Sequence, residues 1–563
     1  MCGFIGALGT DLALDDLLLA SATIAHRGPD GRQVARRGPF MLVAHRLAIV
    51  LPMVAPAIVE REDTVLALNG ELYGLPRQEA GGTSTDTDAL AAWFAQNVDP
   101  RSLASLRGLF AICRFDGRSL LLARDRFGIK PLYYARHGGG LVFASEMKAL
   151  LALPGFSREP DPDVLSATEV FGHNVFVGAT PFRHIRSLAP GHWAEATIDG
   201  VMQERAFTKG LAIPPPGEGR VIEADELSFE VERLLEVAVT RAMRHDPQRK
   251  AVFFSGGLDS TILLDMARRA GPISAWTLTD RGDADDLVEA RKIASALDVP
   301  LTEEWITAED LSREIVHYAW HFERPIVGGA FDLLGGVAFH ALARKTAGEN
   351  RVAFCGEGAD ELFMGYHRLH VAPELAAASM AERARTATPR VKEWLARRGL
   401  IGGGPSLTRS MRMLALNEGL SEYHLPSVDR SGMAFGIEVR PPYLDEDLYD
   451  LVVSLDEAVL IDREDNWTKL PLRKIMRRRV DHPGLGRVVV RRKRAMPSAV
   501  EIAGRALESQ LSPLLGMSQD GGCLPALLRA LFRYLHVDPG CPSVPDFTLL
   551  DFAREIRRGD GAR

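Results

Sequence analysis

Two α/β halves, the first built on short strands with few helices and the second on a parallel sheet, form the fold class the sequence predicts. Three observations carry this expectation. At 563 residues the chain is longer than one hydrophobic core organises. Residues 2–205 are strand-rich, with β-type runs separated by Gly, Pro and Asp turns. From about residue 222 strand and helix patterns alternate, which predicts parallel strands covered by helices.

In the first half, residues 40–50, 64–68, 110–115, 120–123 and 141–144 read as strands, and Asp86–Gln96 as the one helix among them. Asn69-Gly70 reads as a tight hairpin turn. A proline-rich, charged stretch around Pro214-Pro215-Pro216-Gly217 marks a linker over 206–223. In the second half, 224–245 has helical apolar spacing, 251–254 is a short apolar strand, and a helix is expected from about Thr261 to Arg269. Residues 273–279, 287–297 and 351–355 continue the alternation, and beyond about residue 370 the chain turns helical and rich in Arg and Ala. The expected units are therefore 2–205, a linker 206–223, and 224–563.

Composition narrows the function classes. With 46% hydrophobic and 25% charged residues the chain is globular, and a formal net charge of -7 argues against general nucleic-acid binding. The five cysteines (Cys2, Cys113, Cys355, Cys523, Cys541) are too scattered for a disulfide framework or a paired metal site. Cys113 and Cys355 lie in apolar runs and are expected to be buried and inert. No apolar run is long enough to span a membrane, and acidic residues 11, 15 and 16 interrupt any signal-peptide core, so a cytoplasmic location is expected.

Cys2 follows the initiator methionine, and removal of Met1 would leave a residue carrying both a thiol and a free α-amine. That amine has an ordinary pKa of roughly 7.7–8.0, so it can serve as general base to its own thiol. In the second half, Ser255-Gly256-Gly257-Leu258-Asp259-Ser260 lies between a strand and a helix. Backbone N–H groups at such a turn face an anion, and the helix start adds positive partial charge. The loop lacks the lysine of the GxxxxGK[ST] pattern and resembles the pyrophosphate loop of ATP pyrophosphatases. A second strand leads to Gly356-Glu357-Gly358-Ala359-Asp360-Glu361. Three carboxylates on one turn call for a cation, and Mg²⁺ takes one or two carboxylates together with phosphate oxygens.

Taken together the halves resemble the glutamine-hydrolysing asparagine synthetase family. In the first half the resemblance rests on Cys2-Gly3-Phe4, His26-Arg27-Gly28-Pro29-Asp30-Gly31, Ala44-His45-Arg46-Leu47, Asn69-Gly70-Glu71-Leu72-Tyr73, Thr85-Asp86-Thr87-Asp88, the run 124–134 and Ala144-Ser145-Glu146-Met147-Lys148-Ala149. In the second half it rests on the 255–260 and 356–361 motifs, Leu362-Phe363-Met364-Gly365-Tyr366, Asp429-Arg430-Ser431-Gly432-Met433 and the run 438–445. The resemblance implies an N-terminal αββα sandwich of the N-terminal-nucleophile (Ntn) hydrolase type and a C-terminal adenine-nucleotide α-hydrolase-like domain with a helical end. It also implies glutamine, ATP with Mg²⁺, and an acceptor carboxylate, aspartate by default, as what the chain handles. No nucleic acid or membrane is expected, and a homodimer is among the assemblies it allows.

The implied roles match the chemistry of the ligands. Cys2 would be the nucleophile, with the Asn69 side chain and the Gly70 N–H holding the oxyanion. Arg46 would pair the glutamine carboxylate, and Asp86 with the Glu71 backbone would hold its ammonium. Ser255, Gly256, Gly257, Asp259 and Ser260 would hold ATP phosphates, with Asp259 and Asp360 on the metal. Glu357 would act in the acyl-adenylate and amide-forming steps, and Lys469 would meet the departing pyrophosphate.

Some positions depart from the family pattern. They are 51–57, the short segment after Tyr73, Met364 where glycine is usual, Pro471 after Lys469, and 491–496. Several lie on the acceptor side, so a specialised acid or peptide carboxylate is the alternative acceptor. An intramolecular cyclase of β-lactam or lasso-peptide type is the lesser alternative. Such cyclases often lose the N-terminal cysteine or pocket residues, against which Cys2, Arg46, Asn69 and Asp86 stand together here. A non-catalytic relative would show degraded phosphate or nucleophile motifs. The basic stretch 477–494 reads as a solvated or pyrophosphate-facing surface rather than an RNA site.

Overall fold

Alternating burial along the strands sorts the first half into layers. The structure, a computed structural model, describes residues 2–49, 56–75, 85–198, 202–210, 213–215, 217–243, 248–326, 330–400, 407–479, 488–489, 500–515, 523–538 and 541–558. Its first strands are β1 (Cys2–Leu8), β2 (Gly31–Arg37), β3 (Phe40–Arg46), β4 (Ile58–Arg61), β5 (Thr64–Tyr73) and β6 (Arg107–Phe115). They are followed by β7 (Ser119–Arg124), β8 (Tyr133–His137), β9 (Gly140–Ala144), β10 (Arg186–Ser187), β11 (His192–Thr197) and β12 (Met202–Ala206). Two antiparallel sheets result, ordered β10-β8-β9-β1-β3-β2 and β12-β11-β7-β6-β5-β4.

Side chains of a strand point alternately to its two faces. Phe4, Leu8, Phe40 and Leu42 meet Val65, Ala67, Cys113, Phe115 and Leu122 between the sheets. One residue out of step, Ile5, Ala7, Met41 and Val43 pack outward on the helices Leu14–Ala22 and Met147–Leu151. The far side of the second sheet, with Leu66, Leu68 and Ile112, is covered by Leu90 and Phe94 of the helix Asp86–Gln96. The layers are therefore helix, sheet, sheet, helix, the αββα order the resemblance implies.

The second half is built on β13 (Lys250–Phe253), β14 (Ser274–Thr279), β15 (Leu301–Trp305), β16 (Val352–Phe354) and β17 (Glu438–Arg440). These form a wholly parallel sheet ordered β15-β14-β13-β16-β17. Helices Ala224–Met243, Leu258–Ala270 and Asp285–Ala296 cover one face, through Val252, Phe254 and Val352. Ala308–Phe322 and Ala330–Thr346 cover the other, through Ala251, Phe253 and Trp276. The chain changes face between β15 and β16, so the strand order reverses between β13 and β16. Open α/β sheets bind ligands at such a switch point, at the carboxyl ends of the strands. After residue 370 the described elements are helical apart from β17, and no described helix is long and apolar enough to cross a membrane.

Four expectations need correcting. Asp86–Gln96 is not the one helix of the first half, since Leu14–Ala22, Met147–Leu151 and Pro162–Phe171 are helical as well. Asn69-Gly70 is no hairpin, because both residues lie inside β5, opposite Ala111 and Phe110 of β6. Glycine stands at 70 because a Cβ there would lie 2.0 Å from the Leu109 carbonyl oxygen, at a φ of +134°. The strand expected over 40–50 ends at Arg46. The helix after the 255–260 motif begins at Leu258, capped by Gly257, so Asp259 and Ser260 lie in its first turn rather than in a loop. The loop at 51–55, the segment 76–84 after Tyr73, residues 211, 212 and 216 of the linker, and 480–487 and 490–494 of the basic stretch lie outside the described residues.

The halves are joined by buried charge. Arg27, fully buried, donates at 2.8 Å to Glu146 and at 2.8 and 3.2 Å to the two oxygens of Asp429. Lys130 donates at 3.0 Å to Asp429 and at 2.8 Å to Glu438, and Arg430 pairs with Glu146 at 2.9 Å. Burial alone would raise the Asp429 pKa, but Arg27 and Lys130 outweigh it and hold the group at about 2. Glu438 is pushed up to about 7, chiefly by burial and against the pull of Lys130.

Buried histidines behave in the opposite sense. Burial is the main cause holding His45, His173, His317 and His536 at a pKa of about 4. An unfolded histidine takes its proton near about 6.5. Through the window from about pH 6.5 down to 4 the unfolded chain therefore binds more protons, and stability falls as pH falls. The buried carboxyls Glu418, Glu438 and Glu446, raised to about 7, act in the opposite sense over the same window. The four histidines outnumber them, so thermal melts are expected to show a net fall in Tm from about pH 7 to 4.5; a Tm that rises across that range would contradict these assignments.

Candidate active sites

The first site is assembled where β1, β3 and β5 come together. Cys2, the first residue of β1, pairs directly with Arg46, the last residue of β3. The Cys2 side chain lies outside the described residues. The 26–31 turn folds back onto this point: the Asp30 N–H donates at 3.0 Å to the Arg46 carbonyl, and the Asp30 carboxylate accepts from the Ala48 N–H at 2.8 Å. Arg46 is thus held by its backbone and is 8% exposed.

Asn69 is fully buried, yet neither its amide nitrogen nor its amide oxygen has a hydrogen-bond partner among the described residues. An unsatisfied buried polar group costs about 1–3 kcal/mol, a cost that a bound oxyanion would relieve. Next to it, Phe110 accepts from and donates to Asp125 through its own backbone. The alternation of an antiparallel ladder then turns the Gly70 N–H toward the other edge of β5, where β4 pairs no further than Ala67. Asp86 begins its helix and accepts the Leu72 N–H at 3.4 Å, which brings its carboxylate to the end of β5. Thr85 and Asp88 of the same motif form a capping box, a structural task.

Glu71 is where the geometry narrows the expectation. Its side chain is held by Arg440 of β17 through two hydrogen bonds, at 2.9 and 2.6 Å. The carboxylate is therefore committed to the contact between halves, which leaves only the Glu71 backbone for the ammonium role the resemblance implies. Replacing Asn69 with alanine is expected to lower glutamine hydrolysis by about 10²–10³ without a large drop in Tm, since the lost amide satisfies no partner among the described residues. A large drop in Tm would contradict that reading.

The second site stands at the switch point. After β13, Ser255 Oγ accepts the Gly257 N–H at 3.3 Å and lies 3.3 Å from Ser260 Oγ. After β16, the 356–361 turn passes into the short helix Ala359–Leu362. Lys469, from a third segment, brings its ammonium to 2.5 Å from Asp259 and 2.6 Å from Asp360. Burial works against that charge, but the two carboxylates outweigh it and raise the lysine pKa. Lys469 has a left-handed φ of +58° and caps the helix Leu470–Arg478, with Pro471 in the first turn. Proline is tolerated there because the first-turn N–H groups have no partner within the helix. The unusual Pro471 thus leaves the lysine in place. Met364 also takes a left-handed φ, of +54°, which explains why glycine is usual at that position.

Sequence reasoning singled out Glu357 and Glu361 but missed their partner His424. His424 lies 3.3 Å from Glu357 and 3.4 Å from Glu361, and the Tyr366 hydroxyl donates at 2.5 Å to Glu361. Donor atoms of Glu357, Glu361 and His424 all fall within 4.8 Å of one another, an arrangement able to hold a divalent cation. His424 ends the π-helix Leu414–His424. Such rare geometry concentrates at functional sites, but no motif in the sequence announces it. Asp259 and Asp360, with hard oxygen donors on facing turns beside a phosphate-type loop, fit Mg²⁺.

A family model described as asparagine synthase matches residues 230–525. The chain belongs to that family. A second family model, described as a glutamine amidotransferase domain, matches residues 1–207. Asparagine synthetase (glutamine-hydrolyzing) 1 of Bacillus subtilis is 29% identical over 388 residues, covering 65% of this chain and 59% of that protein. Asparagine synthetase (glutamine-hydrolyzing) 3 of the same organism is 26% identical over 511 residues, covering 81% of this chain and 80% of its own length. Asparagine synthetase (glutamine-hydrolyzing) of Homo sapiens is 25% identical over 496 residues, covering 82% and 78%. The match to the first of these relatives spans less than two thirds of its length.

Proposed function

We propose that the chain is a glutamine-dependent amidotransferase, an ATP-dependent carbon–nitrogen ligase that converts aspartate to asparagine in the cytoplasm. The observation that carries this reading is the meeting of the 255–260 loop and the 356–361 turn at the switch point, with Lys469 between their carboxylates. The family membership supports it, and so do the relatives named for glutamine-hydrolysing asparagine synthesis.

In the first half, the Cys2 thiolate attacks the glutamine amide carbon, with its own α-amine receiving and returning the proton. Arg46 pairs the substrate carboxylate, and Asp86 with the Glu71 backbone holds its ammonium. Asn69 and the Gly70 N–H donate to the oxyanion, the carbon–nitrogen bond breaks, and ammonia leaves. Water then hydrolyses the thioester to glutamate. In the second half, the glycines, Ser255 and Ser260 hold the ATP phosphates. A carboxylate oxygen of aspartate attacks the α-phosphorus, and pyrophosphate departs toward Lys469. Asp259 and Asp360 would hold Mg²⁺, which would supply positive charge to the phosphates. Ammonia crossing from the first half attacks the acyl carbon, Glu357 takes the surplus proton, and AMP leaves. Enclosure matters because ammonia is mostly protonated, and so not nucleophilic, in neutral water.

The test follows glutamate and pyrophosphate together in the presence of glutamine, ATP, Mg²⁺ and aspartate. Both products are expected in equal amounts and only with aspartate present at full rate. Aspartate-dependent pyrophosphate without glutamate would sink the amidotransferase reading, and inert aspartate alongside another active acid would replace the acceptor.

A further inference from the structure

The Lys469 ammonium sits between the two carboxylates that the proposed function assigns to a divalent cation, at 2.5 and 2.6 Å. The lysine side chain is 4% exposed, whereas those of Asp259 and Asp360 are 20% and 15% exposed. The ammonium therefore lies on the protein side of the pair, and the two carboxylate side chains are its more exposed members. Its placement is enforced from three directions. The Lys469 backbone is left-handed, its N–H donates to the Phe363 carbonyl at 3.2 Å, and its stem passes over Gly365. A Cβ at Gly365 would stand 2.2 Å from Lys469 Cε and 2.0 Å from Asp360 Oδ1. Only glycine there lets lysine and aspartate meet.

We propose that Lys469 is the resident counter-ion of the Asp259–Asp360 pair, and that a divalent cation taking those carboxylates releases the ammonium to the nucleotide phosphates. The inference rests on the metal reading given under the proposed function and adds an order of events to it. At these distances the ammonium already neutralises part of the pair's charge and would repel a second cation seated beside it, so the ammonium and the metal compete for it. A divalent cation arriving alone must displace the lysine and leave it buried without a partner, which is costly. A cation arriving with a triphosphate gives the lysine new anions to meet. Metal and nucleotide are then positively coupled, and that coupling is reciprocal. The lysine reaches the phosphates only after the metal is seated, which guards the site against incomplete loading.

Mn²⁺ binding to nucleotide-free protein, followed by electron paramagnetic resonance, tests this without any turnover. Lys469→Met is expected to bind Mn²⁺ at least about tenfold more tightly than the unaltered protein. Lys474→Met removes the same charge from an exposed lysine of the same helix, one that pairs with Asp225 at 2.6 Å, and is expected to bind like the unaltered protein. A non-hydrolysable ATP analogue should tighten Mn²⁺ binding in the unaltered protein and much less in Lys469→Met. Equal Mn²⁺ affinity of Lys469→Met and the unaltered protein overturns the inference. Adding Asp360→Asn to Lys469→Met separates the two levels: if Mn²⁺ affinity is undiminished, the metal reading itself fails; if it falls while Lys469→Met binds no more tightly, only the counter-ion role fails. Should Lys469→Met fold poorly, acylation of Lys469 in the unaltered protein, read by mass spectrometry, decides instead. Mn²⁺ is expected to speed that labelling, and an unchanged rate overturns the inference.

Discussion

Replacing Cys2 with alanine is expected to abolish glutamate release while leaving amide formation from added ammonium at the rate of the unaltered protein. The expectation follows from how the first site is built. Cys2 opens β1 directly opposite Arg46, so the residue that would hold the glutamine carboxylate is fixed one strand away from the nucleophile. No other described cysteine can take over. Cys113 and Cys355 are buried, and burial raises their thiol pKa values well above the ordinary one. Cys541 is only half-buried, yet burial raises its thiol as well. The substitution removes the thiol without touching the switch-point site, which lies in the other half. Glutamate and pyrophosphate are measured first with glutamine and then with saturating ammonium. Residual glutamate at the original rate would exclude Cys2 as the nucleophile. Loss of ammonium-driven pyrophosphate would show that the sites are not separable by this change.

Asp429→Ala is expected to cost about 3–5 kcal/mol of folding stability, because it strands buried positive charge. Arg27 and Lys130 both donate to this carboxylate, and both are essentially inaccessible to water. Arg27 keeps Glu146 and Lys130 keeps Glu438, so the loss is large but not total. The exposed pair of Arg385 with Glu382, at 74% and 71% exposure, makes the contrast. Breaking it with Glu382→Ala should cost less than about 1 kcal/mol. Denaturant unfolding monitored in both variants checks the pair of expectations, and a cost for Asp429→Ala as small as that for Glu382→Ala would contradict the role given to the buried cluster.

How much of this was legible in the sequence depended on whether the signal was local. The helix Asp86–Gln96 is found with the expected bounds, since Thr85 and Asp88 cap it within four residues. The loop between β13 and its helix is recognisable because two glycines and two serines fall within six positions. Asn69-Gly70 misled, because glycine is shared by tight turns and by strands pressed against a neighbouring carbonyl. Only the position of Leu109 distinguishes the two. The helix start at Leu258 was placed late, since Gly257 caps it with no side-chain signal. Charge pairs such as Arg27 with Asp429 join residues 402 apart, and His424 reaches Tyr366 across 58 positions. No periodicity or composition reports such meetings. They exist only once the core has set the distances.

The buried ion pairs between the halves also bear on how such a protein can change over generations. Arg27, Lys130 and Glu71 belong to the first half, and Asp429, Glu438 and Arg440 answer them from the second. Each charge is tolerable only in the presence of its opposite number. A first half transplanted from a distant relative would bury charges against a surface not prepared for them. Recombination at the linker is therefore fruitful only between parents that share this set.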